Sequence, residues 1–436
     1  RGWAIMGLAA FRQGAGMKET TWAAWVSKLQ AGDRVFVPGG PGEPTGLPGA
    51  LALGTAAPAT FVQFPLPGMN RFDYSLAGRG ARQETFFLTP ALREGFQAGR
   101  VAFHPLHMRR AFDALATGPA FDWVVLMARR DGDGHWRQGL NMDFLPAVLP
   151  RARAVLVQEN PCLPLLPGAP PLDPAFITAV IADGTALPEL AAPVLDAASE
   201  AIGSRVAARV PDGACLQTGI GQIPAAVLHA LRGHRDLGFH GGLVDAGVLA
   251  LIKAGVLTGA KKGRDRGVHV TAMALGDRAF YDALEGLSEL RFCGADITHE
   301  SAVIAELDHF VSINSAVEVD LFGQVNAETV GGRQISGPGG AVDFMRAAAG
   351  APGGQSIVAL TATAKGGALS RIVPTLAAGT PATGLRTDSD VIVTEFGLAE
   401  LKGKSLEARA EALIAVAAPE HREGLAAAWA TLRARI

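Results

Sequence analysis

Short runs of β-branched and other apolar residues alternate with longer segments rich in alanine and leucine along this chain. The short runs have the length of strands and the longer segments that of helices, which is typical of parallel βα units. We therefore predict an α/β protein with strands at 34–37, 60–64, 100–103, 123–127, 154–157, 214–217, 268–274, 310–314, 356–360 and 391–394. Helices are predicted at 20–29, 193–208, 224–231, 246–254 and 405–417.

An internal repeat divides the chain into two halves. Residues 35–44 (VFVPGGPGEP) align without gaps on residues 215–224 (CLQTGIGQIP), and each copy reads as strand, glycine-rich turn, proline and helix. Proline is well suited to the first turn of a helix, because its missing N–H has no partner there. Residues 160–174 carry six prolines and predict either an interdomain linker or an ordered crossing loop. We predict two similar open α/β domains, residues 1–190 and 191–436.

Charge and cysteine content exclude several classes of protein. The 39 basic and 41 acidic residues give a net charge of -2, so the composition predicts neither a nucleic-acid partner nor an anionic membrane partner. No apolar run approaches the roughly 18 residues of a transmembrane helix, and the N-terminus lacks a convincing cleavage signal. Three widely spaced cysteines favour neither disulfides nor a CxxC metal site. We predict a cytoplasmic protein without a bound metal.

Two glycine clusters are candidate binding loops. Gly219, Ile220 and Gly221 follow a predicted strand and precede a helix, where backbone amides suit a carbonyl oxygen or a phosphate. The cluster that contains Gly337, Gly339 and Gly340 would let a narrow ligand arm approach the main chain closely. Lys365 is a candidate for a phosphate contact. An ordinary turn is an equally good interpretation of either glycine cluster, and a solvated surface lysine is the more usual interpretation of Lys365.

Four segments of the second half carry a family resemblance: QTGIG (217–221), SINSAVEVD (312–320), ISGPGGAVDF (335–344) and VTEFGLA (393–399). Together they resemble the acetyl-CoA hydrolase/transferase family, class I CoA-transferases of the 4-hydroxybutyrate type. The resemblance covers most of the chain from about residue 211 onward. It implies two open α/β domains of the CoA-transferase type with the active site between them, coenzyme A as a substrate, and a homodimer.

The resemblance also implies covalent catalysis by a glutamate. Its carboxylate attacks an acyl-CoA thioester, and the released CoA thiolate then attacks the resulting anhydride to give an enzyme–CoA thioester. Many members carry this glutamate in a stretch similar to His-Thr-Glu, but this chain reads His240-Gly241-Gly242. Either the protein has lost transferase chemistry, or its carboxylate comes from elsewhere.

Glu43 is the preferred replacement. In the repeat it is the counterpart of Ile223, so two pseudo-symmetric domains would bring it towards the Gly219 loop. The alternative is that Glu43 interacts with the macrodipole of a helix. Glu318 and Glu395 are less favoured, because each belongs to a predicted strand or strand end.

Three further residues are candidates for the substrate pocket: Met69, Asn70 and His240. Loop packing is the alternative for the first two, and a buried structural role is the alternative for His240. The predicted function is exchange of CoA between a short-chain acyl-CoA (acetyl, butyryl or 4-hydroxybutyryl) and a small carboxylate. An acyl-CoA hydrolase and a non-catalytic CoA-binding paralogue remain the alternatives.

Overall fold

The first half of the chain forms a large, mainly parallel sheet. The computed structural model describes residues 17–436, so the N-terminal segment considered for a cleavage signal lies outside the described residues. The sheet contains β1 (Lys18–Glu19), β2 (Arg34–Phe36), β3 (Thr60–Gln63), β4 (Arg82–Thr85), β5 (Val101–Phe103), β6 (Phe121–Arg130), β7 (Trp136–Gln138), β8 (Ala152–Glu159) and β9 (Ala179–Ala182). Their order is β1-β9-β8-β6-β2-β3-β4-β5, and β7 is antiparallel to β6.

The second half forms a six-stranded sheet and several small ones. Its strands are β10 (Cys215–Thr218), β11 (Gly238–Phe239), β12 (Leu243–Val244), β13 (His269–Thr271), β14 (Met273–Ala274), β15 (Leu290–Phe292), β16 (Phe310–Ser315), β17 (Glu318–Asp320), β18 (Val325–Asn326), β19 (Thr329–Val330), β20 (Arg333–Gln334), β21 (Gln355–Ala359), β22 (Thr363–Ala364), β23 (Leu369–Ser370), β24 (Ile372–Val373), β25 (Val391–Thr394) and β26 (Gly397–Glu400). The large sheet has the order β11-β10-β16-β21-β25-β26, in which β26 is antiparallel to β25.

Helices connect and cover these sheets. They are α1 (Trp22–Val26), α2 (Leu47–Leu51), α3 (Arg93–Gln97), α4 (Met108–Thr117), α5 (Leu145–Val148), α6 (Ala197–Ala207), α7 (Gln222–Ala230), α8 (Ala246–Lys253), α9 (Arg278–Leu284), α10 (Ala295–Thr298), α11 (Ser301–Ile304), α12 (Ala341–Gly350), α13 (Leu406–Val416) and α14 (Pro419–Arg433). Among the described residues, no helix combines the length and the apolar character needed to cross a membrane.

The predicted alternation of strands and helices is confirmed. Each predicted strand is present, although the run at 268–274 is divided into β13 and β14. The helix predicted at 193–208 begins at Ala197, because Asp196 accepts a hydrogen bond from the Ser199 amide and caps it. The segment 160–174 lies between β8 and β9 of one sheet, so it is an ordered crossing loop. The domain division at residue 190 stays a prediction, although the two large sheets lie on either side of it.

One prediction about the repeat is wrong. In the second copy α7 begins directly after Gly221, with Pro224 in its first turn, as expected. In the first copy Gly40–Gly42 forms a 3₁₀ turn, and Glu43 is extended with φ -61° and ψ 125°. A residue that precedes proline is biased towards this extended conformation. The helix therefore starts only at Leu47.

The two halves share a hydrophobic core. One continuous cluster of buried side chains includes Phe36 and Phe144 from the first half and Leu216, Phe239 and Ile357 from the second. Burial of apolar surface from both halves in one cluster stabilises their association. The cleft described next is thus bounded by surfaces that pack against each other.

Candidate active site

A cleft of about 310 Å³ lies between the two halves of the chain. The first half contributes apolar side chains to its wall, including Phe64, Leu66, Phe87 and Met108. The second half contributes Met273, Phe344 and parts of both glycine clusters. These side chains make the wall mainly apolar. No arginine or lysine of the described residues lines the cleft, so the wall carries no permanent positive charge.

Polar side chains at the carboxyl ends of β10 and β16 form the floor of the cleft. Gln217 Oε1 accepts hydrogen bonds from Ser312 Oγ at 3.0 Å and from Asn314 Nδ2 at 3.2 Å. Gly219 and Ile220 follow β10 and also line the cleft. Because β10 and β16 are parallel neighbours, their carboxyl ends present these groups together, at the position where open α/β sheets bind ligands.

The second glycine cluster packs between the halves. A β-carbon on Gly337 would overlap the backbone carbonyl of Phe86. The carbonyl of Gly339, whose φ is 56°, accepts a hydrogen bond from the Met108 amide at 3.0 Å. At these positions glycine therefore permits close packing of protein against protein, while the loop still lines the cleft.

His299 is a cleft residue that the sequence analysis missed. Its side chain is 2% exposed and lies with its ring centroid 4.5 Å from that of Phe344. Its Nδ1 is hydrogen bonded to Thr298 Oγ1 at 2.8 Å. Burial lowers the pKa of His299 to about 4, so the imidazole is neutral at physiological pH. No recognisable motif surrounds it in the sequence.

Asp143 is the second missed residue. It lines the cleft, is 4% exposed, and has an Oδ1 atom without a hydrogen-bond partner among the described residues. Its backbone is fixed on both sides, because its amide donates to Asn141 Oδ1 at 2.8 Å and its carbonyl accepts from the Ala295 amide at 2.8 Å. Burial raises the pKa of Asp143 to about 7, and a hydrogen bond with Asn141 opposes that rise.

Glu43 lies in a polar cage directly behind the cleft wall. Its Oε1 accepts hydrogen bonds from Gln63 Nε2 and Tyr74 Oη, both at 2.8 Å, and its Oε2 accepts one from Asn70 Nδ2 at 2.9 Å. Asn70 Oδ1 in turn accepts from the Leu66 amide at 2.8 Å. Leu66 lines the cleft, so the Asn70 side chain connects the Glu43 carboxylate to the cleft wall through two hydrogen bonds.

Burial and hydrogen bonding act in opposite directions on Glu43. Burial raises the pKa of its carboxyl, and the hydrogen bonds from Asn70, Gln63 and Tyr74 lower it, with a net rise. Burial and the neighbouring Glu43 also raise the pKa of Tyr74 well above its ordinary value. Glu43 follows a 3₁₀ turn and lies four residues before α2, so it does not occupy a helix N-terminus.

The structure brings only some of the predicted site residues together. Within the described part of the chain, the cleft is lined by Gly219, Ile220, Gly337, Gly339 and Gly340, and also by Gly242. Gly221 caps α7 with φ 111° and borders a neighbouring pocket. Met69 is buried and Asn70 contacts Glu43, and neither is part of the cleft lining.

Two predicted residues lie elsewhere. His240 is completely buried, its Nε2 is 3.2 Å from the Thr298 carbonyl, and burial lowers its pKa to about 3. Lys365 is exposed in the turn between β22 and β23, outside the cleft, so its contact with a phosphate stays a prediction. The predicted absence of a metal also stays a prediction; half-buried Asp131 and exposed Asp133 and His135 form a cluster of possible ligands.

Comparison with known proteins identifies the family. Residues 276–429 match the acetyl-CoA hydrolase/transferase C-terminal domain. The chain is 34% identical to the 4-hydroxybutyrate coenzyme A transferase of Clostridium kluyveri over 92% of this chain and 94% of that protein. The chain belongs to the acetyl-CoA hydrolase/transferase family.

Other family members agree with this assignment. A butyryl-CoA:acetate CoA-transferase of Anaerostipes caccae is 38% identical over 69% of this chain and 70% of its own length. The crystal structure of a 4-hydroxybutyrate CoA-transferase from Porphyromonas gingivalis superimposes with a TM-score of 0.78 at 28% identity, covering 96% of this chain and 98% of that one. The predicted family, the α/β CoA-transferase fold and the assignment as a CoA-transferase enzyme are confirmed.

Proposed function

We propose that this acetyl-CoA hydrolase/transferase family member exchanges CoA between a short-chain, uncharged acyl-CoA and a small monocarboxylate. The observation that carries the proposal is the cleft between the halves, which combines an apolar wall with polar groups at the ends of β10 and β16. Burial of an apolar acyl chain against Phe64, Phe87 and Phe344 would stabilise the bound substrate. The names of the relatives, which include 4-hydroxybutyrate, butyryl-CoA and acetate, support this substrate class.

Backbone amides are suited to the developing negative charge of the reaction. Attack on a thioester converts its carbonyl oxygen into an oxyanion, which is stabilised by donors that are already oriented. We assign this role to the amides of Gly219 and Ile220, which precede α7 and line the cleft. Their position at a helix N-terminus adds the positive end of the macrodipole. The loop that contains Gly337, Gly339 and Gly340 is assigned to the pantetheine arm.

Glu43 is the nucleophile in this proposal. Its carboxylate would attack the thioester, form an acyl-glutamyl anhydride and release the CoA thiolate, which then attacks the glutamyl carbonyl to give an enzyme–CoA thioester and the free acid. A second carboxylate reverses these steps. The three donors of the cage support this role, because they orient the carboxylate and favour its ionised form.

The reaction at Glu43 requires a movement of the cleft wall. Asn70 connects the carboxylate to Leu66, so the segment 66–70 has to shift before the thioester carbon can reach Glu43. Gly68 lies at the exposed tip of this segment with φ 83°, and Pro67 beside it is also exposed. A homodimer, which the family resemblance implies, and a cytoplasmic location, which the composition favours, both stay predictions.

An exchange assay tests the function. Purified protein is incubated with butyryl-CoA, with and without acetate, and both acetyl-CoA and free thiol are measured. We expect acetyl-CoA to form only when acetate is present, with little free thiol. Thiol release that is independent of acetate would establish the hydrolase alternative, and CoA binding without any turnover would establish the non-catalytic alternative.

A further inference from the structure

Asp143 is a buried carboxyl group in an apolar cleft. Among the described residues that line the cleft it is the sole carboxylic acid, and its Oδ1 has no hydrogen-bond partner. A buried polar atom without a partner destabilises the folded protein. Because Asp143 lines the cleft, a ligand that enters it and supplies the missing partner would remove this destabilisation.

The chemistry of the cleft restricts what that substrate group can be. An ionised Asp143 would need a positive partner, but no lysine or arginine of the described residues lines the cleft. A protonated Asp143 is instead a hydrogen-bond donor, and its best acceptor is another carboxylate. Hydrogen bonds of the O–H···O⁻ type are about twice as strong as neutral ones. A thioester carbonyl is uncharged and would gain less from the same donor.

We propose that Asp143, as the neutral acid, donates a hydrogen bond to the carboxylate of the acceptor acid and thereby forms the acceptor subsite. This inference rests on the proposed function, in which a small monocarboxylate enters the cleft. Two carboxylates that share one proton bind each other, whereas two ionised carboxylates repel. Binding of the acid is therefore coupled to retention of the proton on Asp143.

Backbone hydrogen bonds through Ala272 connect Gly242 with the segment that carries Asp143. The amide of Met142, next to Asp143, donates to the Ala272 carbonyl at 2.8 Å, and the Ala272 amide donates to the Gly242 carbonyl at 3.3 Å. The segments that carry Asp143 and Gly242 are thus both hydrogen bonded to Ala272, and both residues line the cleft. Gly242 carries no side chain, so the chain places no second carboxyl group at this position, where a β-carbon would meet the His299 ring at 3.1 Å.

The surroundings of Asp143 contain few competing charges. The elements packed around it carry these titratable groups: Asp296 and His299 after Ala295, Glu43 in its cage, and His107, Arg109, Arg110 and Asp113 on or next to α4, which packs against α5 and α10. Arg109 is paired with Asp113 and Glu300, and His107 is paired with Asp343. Burial, and not a neighbouring charge, is the main cause that raises the pKa of Asp143 to about 7.

Direct binding of a carboxylate tests the inference without turnover. Calorimetric titration with butyrate is carried out at pH 6, 7 and 8 on the wild-type protein, Asp143→Asn and Asp143→Leu. Each titration is repeated in two buffers of different ionisation enthalpy, which reports the protons taken up. Asp296→Asn is the matched control. Asp296 is a half-buried acid that, like Asp143, has an unpartnered Oδ1, but it does not line the cleft.

We expect wild-type affinity to fall about tenfold per pH unit above roughly pH 7, because only the protonated fraction binds. Proton uptake should approach one per bound butyrate at pH 8. Asp143→Asn keeps a donor and should bind with an affinity independent of pH and without proton uptake. Asp143→Leu should bind weakly at every pH, and the control should behave as the wild type.

Several results would overturn the inference. They are wild-type affinity that is equal at pH 6 and pH 8, unchanged proton uptake in Asp143→Asn, or normal butyrate binding by folded Asp143→Leu. Absence of any butyrate binding by the wild-type protein would overturn it as well. A protein that binds butyrate in the expected way but fails to exchange CoA would contradict the proposed transferase function and leave the carboxylate subsite in place.

Discussion

The imidazole of His299 occupies the space that a side chain at Gly340 would need. A β-carbon on Gly340 would overlap the ring, and one on Gly242 would meet the same ring at 3.1 Å. The two glycines therefore allow a neutral histidine to lie in the cleft wall between them. Gly340 is constrained by this packing within the protein, whether or not it also contacts pantetheine.

We first predict that Gly340→Ala lowers the free energy of unfolding by about 1–3 kcal/mol, the usual cost of overpacking. His299→Ala in the same chain should recover much of that loss, since it removes the atoms that clash. Urea denaturation of the two single variants and the double variant measures the coupling. Gly350→Ala, near the other end of α12, is the control, because a β-carbon there meets nothing within 4 Å. Equal stabilities of Gly340→Ala and Gly350→Ala would refute the packing argument.

The second prediction concerns Gly242, the position where the family resemblance implies a glutamate. Gly242→Glu should not raise the rate of CoA exchange, because its side chain crowds His299 and adds a carboxylate to the cleft that contains Asp143. Steady-state exchange rates are compared with those of Gly242→Gln, which has the same size without the charge. A large gain in rate for Gly242→Glu, without a similar gain for Gly242→Gln, would show that the wild-type cleft lacks a nucleophile. Glu43 would then not be the nucleophile.

Third, stability should depend on pH through Asp143. Its folded-state pKa of about 7 lies above the unfolded value of 3.8, so the unfolded chain loses this proton first as pH rises. The free energy of unfolding should therefore fall between about pH 4 and pH 7, by on the order of 4 kcal/mol in total. Asp143→Asn cannot ionise and should escape this loss. A difference between the two proteins that stays constant from pH 4 to pH 8 would be inconsistent with a buried, titrating Asp143.

Fourth, Tyr74 is a positioning residue for Glu43. Tyr74→Phe removes one of the two donors to Oε1, which disfavours the ionised carboxylate and should raise its pKa. The acidic limb of the pH–rate profile for CoA exchange should move to higher pH. At pH values below the apparent pKa of Glu43, the rate should be about tenfold lower than in the wild type. Tyr281→Phe is the control, because that hydroxyl donates to the Pro188 carbonyl outside the cleft. An unshifted profile in Tyr74→Phe would exclude an effect through Glu43.

The sequence predicted the fold well, because its main signal is local. Strand-length apolar runs and glycine clusters at strand ends placed the sheets and the loops around Gly219 and Gly339. Glu43 was recognised as a candidate, but its burial was not, since its cage partners Gln63, Asn70 and Tyr74 come from separate segments.

The two missed cleft residues show the limit of local patterns. Asp143 and His299 belong to no motif, and the Asp143 carbonyl is held by the amide of Ala295 from the other half of the chain. Lys365 and His240 looked suitable by residue type, yet one is in an exposed turn and the other is enclosed in the core. Distinguishing such residues requires tertiary contacts, which periodicity and spacing do not encode.

The covalent capture of Glu43 tests the central claim most directly. The protein is incubated with butyryl-CoA without an acceptor acid, treated with borohydride or hydroxylamine, and digested for peptide mass spectrometry. A glutamyl-CoA thioester would be reduced to an alcohol or converted to a hydroxamate. Glu318→Gln is the control, since Glu318 lies on β17 outside the cleft and bonds Asn326.

We predict that either mark appears on the segment 35–48, that it persists in Glu318→Gln, and that it is absent from Glu43→Gln. Glu43→Gln should still bind CoA while losing exchange by several orders of magnitude, the scale expected for removal of a covalent nucleophile. A mark on Asp143 or on any other residue, or full exchange by Glu43→Gln, would contradict the account.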